Sequence, residues 1–130
     1  MSDRTTPIAK LTVERSRFFG IYVPANDADE VRQVLARRRK AVKRARHHCW
    51  ASRLADAEGK VVESARDDGE VGRPGHRLLE LMRREDLRGV LVVSRVFGGV
   101  KLGPAGVGRA IKETGVEAVE LARAGGSRGR

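Results

Sequence analysis

The chain has 130 residues, enough for one domain with one core and too few for two of ordinary size. Its 27 Lys and Arg against 17 Asp and Glu give a formal charge of +10, while one Trp, one Tyr and three Phe leave an aliphatic core and few platforms for stacking bases. A lone cysteine, Cys49, excludes an intramolecular disulfide framework, and no apolar run approaches the ~18 residues of a membrane span; a cytoplasmic chain with no membrane partner is expected.

Residues 1–6 are polar and read as a loose terminus, as does the Gly-Ser-Arg tail over 124–130, which leaves 7–123 as a single domain. Ile8 to Glu14 alternates Ile8, Lys10 and Thr12 against Ala9, Leu11 and Val13, and Arg17 to Val23 is apolar and aromatic; with Arg15 and Ser16 as the turn, these predict a hairpin. Asn26 or Asp27 suits an N-cap, with Asp29 and Glu30 in the first turn of a helix whose Val31, Val34, Leu35 and Val42 share one stripe. Most of Arg37 to Arg44 then faces water. Between Glu30 and Asp56 no acid occurs, whereas Arg32, Arg37, Arg38, Arg39, Lys40, Lys43, Arg44, Arg46 and Arg53 supply nine positive charges. Such clustering suits a polyanion, because cations gain affinity by releasing counterions from phosphates; a solvated helix face is the competing reading.

His47 to Leu54 and Lys60 to Ala65 predict two strands joined at Asp56-Ala57-Glu58-Gly59, and the loop Gly69 to Gly75 leads into a helix over Arg77 to Asp86 that buries Leu78, Leu79, Leu81 and Met82. Gly89 to Arg95 is unbroken enough in apolar character to sit centrally in a sheet. It ends abruptly in Arg95-Val96-Phe97-Gly98-Gly99-Val100-Lys101-Leu102-Gly103, where glycine admits close backbone approach and Arg95, Lys101 and Arg109 bring charge to the bend. A last helix starts near Pro104 and buries Val107, Ala110, Ile111, Ala118 and Leu121, with Gly106, Gly108 and Gly115 serving close packing or a bend. The order is β-β-α-β-β-α-β-α.

Four segments in this order resemble the IMPACT/YigZ family: Arg15-Ser16-Arg17-Phe18; His47-His48-Cys49-Trp50-Ala51-Ser52-Arg53; Asp67-Asp68-Gly69-Glu70; and Ser94 through Pro104. The resemblance covers nearly all of the expected domain. It implies an α/β fold, specifically an α+β two-layer sandwich like that of a ribosomal small-subunit protein domain and of domain IV of elongation factor G, with a four-stranded sheet covered by helices on one face. Val96 stands where the family carries an aromatic, residues 71–77 are only loosely similar to the family's small-residue segment, and the further N- or C-terminal domains of many members are expected to be absent. Eukaryotic members, by the same resemblance, restrain an activator of a kinase in translational stress signalling.

The glycine loop matches neither phosphate-binding fingerprint, since Pro104 rather than a Lys-Ser/Thr pair follows Gly103, and Gly106-x-Gly108 lacks the third glycine. What remains is a bend with Gly98, Gly99 and Gly103 beside Arg95, Lys101 and Arg109, suited to a phosphate backbone or an acidic protein loop, or else a turn that needs glycine for its geometry. Asp67, Asp68 and Glu70 suggest a hydrolase with His76, or a metal site, against the plainer reading of acids paired with arginine. Adjacent strand residues face opposite ways, so His47 and Cys49 share a face and His48 does not; no zinc set is complete, and no metal or cofactor is expected. The expectation is a non-enzymatic module that binds RNA or another ribosome-associated polyanion through Arg37, Arg38, Arg39, Lys40, Lys43, Arg44, Arg46, Arg95, Lys101 and Arg109. A regulator that binds a translation-regulatory protein is the alternative.

Overall fold

The computed structural model describes residues 6–128. Strand alternation at the start of the chain produces β1 (Ala9–Val13) and β2 (Ser16–Val23), antiparallel with Val13 opposite Ser16. The turn is Glu14-Arg15, not Arg15-Ser16, because both residues take positive φ (48° and 70°), the pair a right-twisted two-residue hairpin requires. This moves Ser16 into the strand, where it is fully buried.

Asp27 caps α1 (Ala28–Ala41), its carboxylate accepting the Glu30 N–H at 2.9 Å, and Val31, Val34 and Leu35 form the buried stripe together with Arg38. β3 (His47–Ala55) and β4 (Val61–Arg66) follow, joined by a turn in which Asp56 Oδ1 accepts the N–H groups of Glu58 and Lys60. The next helix, α2 (Pro74–Arg84), begins three residues before the expected Arg77. Its starting N–H at Gly75 is satisfied from outside the helix, by Asp67 Oδ1 at 2.9 Å, a cap that local sequence around Arg73 does not supply. β5 (Gly89–Val96) is buried at all eight positions, and α3 (Gly103–Arg128) closes the fold.

The sheet is antiparallel throughout and has five strands in the order β1-β2-β5-β3-β4, which corrects the four-stranded expectation. The α/β class stands, but the helices do not share one face. Along β5, Leu91 and Val93 pack with Cys49, Ala51 and the buried sides of α2 and α3, while Val90 and Val92 pack with Ile21, Val23 and the α1 stripe on the opposite side. A central strand buried on both faces needs cover on both, and α1 supplies the second layer. Close packing of α3 depends on small residues: a Cβ on Gly115 would lie 2.8 Å from Leu78 Cδ2, and one on Gly108 would lie 2.5 Å from Arg77 Nε.

The segment 124–128, expected as part of a loose tail, continues α3; residues 129–130, and 1–5 of the expected loose N-terminus, lie outside the described residues.

Candidate functional site

The four segments singled out in the sequence meet at one end of the sheet, where β2 and β3 begin and β5 ends. Register accounts for this: Phe18 lies opposite Arg95, and Arg95 lies opposite His47, so three side chains form a row on the face that carries α2 and α3. Arg95 sits in the middle and is only 8% exposed. Its Nη1 donates to Glu70 Oε1 at 3.2 Å, its Nη2 donates to Ser16 Oγ at 3.3 Å, and its guanidinium lies between the rings of Phe18 and Phe97, 5.7 and 5.5 Å from their centroids. Arg95 is therefore paired with Glu70 and buried inside the fold, a correction to its expected place on the outer basic surface.

Ser16 also binds the glycine loop. Its Oγ accepts the Gly98 N–H at 3.2 Å, and a Cβ on Gly98 would fall 2.1 Å from the Arg15 carbonyl carbon. Glycine is required there for close approach of two backbones, whereas Gly99 and Gly103 have open space and positive φ of 91° and 73°. The loop's glycines thus serve geometry first.

Each acid of the Asp67-Asp68-Gly69-Glu70 turn has a structural role. Asp67 caps α2 through Gly75, and its carbonyl accepts from Cys49 Sγ at 3.3 Å. Asp68 Oδ2 accepts the His48 N–H at 2.8 Å, and its carbonyl accepts from His47 Nδ1 at 2.7 Å. Glu70 Oε1 holds both Arg95 and the Val71 N–H. His76, the expected fourth member of a hydrolase set, instead lies 3.5 Å from Glu80 on α2. Burial lowers the pKa of His48, whose Nδ1 is hydrogen-bonded to Ser94 Oγ at 2.7 Å, and burial raises that of Cys49. Among the described residues no group of three His, Cys, Asp or Glu side chains is arranged to hold a metal ion.

The exposed cations are therefore a subset of those expected. Arg39, Lys40, Lys43, Arg44, Arg46, Lys101 and Arg109 face solvent, Arg37 is half-buried, and Arg38 is buried on the inner stripe of α1. Arg38 follows Val31, Val34 and Leu35 at helical spacing, so its burial was written in the same periodicity that placed the apolar residues inward. The chain leaving α1 brings Arg44 and Arg46 to the end of β5, where with His47, Glu70, Arg95, Val96 and Phe97 they line a cleft of about 290 Å³. Arg109 lies elsewhere, in a groove between α3 and Val13. Two residues of the site escape a reading by charge: Ser16, the shared acceptor, and Phe97, which is 54% exposed. The signal for Phe97 was its position one residue past the last buried strand residue, where no partner strand covers it.

Residues 14–119 match the family model of the Impact N-terminal domain. The chain is 36% identical over 111 residues to the IMPACT family member in pol 5'region of Thermus thermophilus, covering 85% of this chain and 58% of that protein. It is 36% identical over 100 residues to Protein IMPACT of Rattus norvegicus, covering 74% of this chain and 31% of that one. It is 32% identical over 103 residues to IMPACT family member YvyE of Bacillus subtilis, covering 78% and 46%. The matches thus span 31–58% of these relatives' own length. Similar solved structures include these two. One, a hypothetical protein, has a TM-score of 0.79 at 23% identity over 87% of this chain and 56% of its own, a likeness of fold alone. The other, the two-domain translational regulator Yih1, has a TM-score of 0.56 at 26% identity over 90% and 45%.

Proposed function

The chain belongs to the IMPACT family through its Impact N-terminal domain, and on that footing we propose that it is a translation-associated regulator that binds RNA or a ribonucleoprotein through the basic end of α1 and the cleft beside it. The family supports the regulatory part of the reading, since one structural relative is described as a translational regulator. The observation that carries the RNA part is the run Arg39, Lys40, Lys43, Arg44 and Arg46, exposed, uninterrupted by acids, and continuous with the cleft. Phosphate contacts from such a run give affinity with little sequence preference.

Five phosphate contacts, at the B-DNA coefficient of about 0.9 each, correspond to a fall of log affinity with log salt whose slope has a magnitude of about 4.5. Replacing Arg44 and Arg46 by alanine lowers that slope by about 2. Filter binding to a structured RNA between about 50 and 200 mM salt measures both. Absence of binding at the lower salt refutes the proposal.

A protein partner is a second reading, favoured by one feature: Trp50, Leu54 and Val62 line an apolar groove between α1 and the β3–β4 face, with Val62 51% exposed. A partner retained after nuclease treatment and lost in Val62→Lys supports it; loss on nuclease treatment returns the reading to RNA.

A further inference from the structure

The cleft at the end of β5 is two environments in one, and they differ in the ligand chemistry they suit. Its rim carries Arg44 and Arg46, both exposed. Its floor is the Arg95–Glu70 pair, with side chains only 9% and 4% exposed, so a carboxylate sits under the cleft and the floor has no net charge. A phosphate lowered onto that floor would be repelled by the Glu70 carboxylate. A neutral planar group would not, and beside it stands Phe97, an exposed ring whose inner side is already occupied by the Arg95 guanidinium at 5.5 Å. Glu70 Oε2 and Arg95 Nε are buried from solvent and have no hydrogen-bond partner among the described residues, so they present nothing to a ligand in the cleft, and the exposed ring of Phe97 is the feature that suits a base.

We propose that this cleft holds one unstacked nucleotide of a single strand, its base against the exposed side of the Phe97 ring and its phosphate at Arg44 and Arg46. The inference rests on the RNA-binding reading and deepens it. A cleft of about 290 Å³ is at the lower bound of small-ligand sites and has no room for a helix, so a paired base reaches it only by leaving its stack. Single strands and loops supply such bases without the unstacking cost.

The test compares the full chain with Phe97→Leu, which keeps an apolar side chain in the exposed loop and removes the π-face. Binding of a single-stranded RNA nonamer and of a blunt RNA duplex is measured at matched salt, with thermal unfolding confirming that the variant is folded. The expected result is about a tenfold loss for the single strand, the scale of one base–aromatic stack, with duplex affinity and both salt slopes unchanged. Equal affinities of variant and wild type for the single strand overturn the proposal and leave Phe97 to a protein contact. Equal losses on both RNAs also overturn it. Failure of wild type to bind either RNA at low salt refutes the wider RNA reading as well, so the two failures are distinct.

Discussion

Replacing Arg95 by methionine should destabilise the domain by about 3–5 kcal/mol, because it strands the Glu70 carboxylate, 4% exposed, in the fold without its counter-ion. The same variant also loses the bond to Ser16 Oγ and the contacts with Phe18 and Phe97. Glu70→Leu should cost a similar amount by leaving a buried guanidinium unpaired. The double variant Arg95→Met, Glu70→Leu is the informative member: both ions go together, and the remaining deficit is the neutral hydrogen bonding at Ser16 and Val71, roughly 1–3 kcal/mol. The single costs should therefore exceed the double cost by at least about 3 kcal/mol, a coupling of the size seen for buried networks. Against a total stability of about 5–15 kcal/mol either single variant is severely weakened, which urea unfolding with linear extrapolation measures directly. Single costs below about 1 kcal/mol, or a double cost equal to their sum, would show that Arg95 and Glu70 are independently solvated and that Arg95 is available to an external anion.

Gly98→Ala drives a Cβ to 2.1 Å from backbone at Arg15 and should cost at least about 2–3 kcal/mol, whereas Gly99→Ala, in open space at φ 91°, should cost only about 1–2 kcal/mol of local strain; similar melting temperatures for the two would contradict the assigned roles. Glu63 is bound by Arg83 and, less strongly, by Arg53, which together hold its pKa down at about 2. Because the folded pKa lies below the unfolded one, its stabilisation is present above about pH 4.5 and is lost as pH falls toward 2, so the stability gap between wild type and Glu63→Gln should close across that window. A constant gap argues against the bridge. Cys49 is fully buried and its thiol pKa is raised by burial, so a thiol reagent should label it only as fast as the domain opens; rapid labelling of the native chain is the contrary result.

Much of this architecture is written in local pattern. The hairpin, the α1 stripe of Val31, Val34 and Leu35, the glycine turn at 56–59 and the fully buried β5 all lie within a residue or two of where periodicity and turn chemistry predict them. The misplacements are non-local in origin. α2 starts early because Asp67, eight residues before Gly75, caps it, and the hairpin turn shifts because Glu14 and Arg15 accept positive φ without glycine. Periodicity also marks which residues of a helix are buried, but not which face of the sheet buries them, so the placement of α1 opposite α2 and α3 could not be read from the chain.

For the candidate site the division follows from the range of the interactions. The charge excess, the acid-free run after Glu30 and the clustering of glycines after Arg95 are properties of composition and order, and they mark a basic region without any fold. Whether a given cation is available depends on what lies beside it in space. Arg95 meets Glu70 across 25 residues and Ser16 across 79, and those meetings arise from strand register and a buried turn. Burial removes the water that would otherwise solvate the guanidinium, so its charge is met by Glu70. Of the expected cations that remain exposed, Arg39, Lys40, Lys43, Arg44 and Arg46 lie on α1 and the chain after it, while Lys101 lies in the glycine loop and Arg109 on α3.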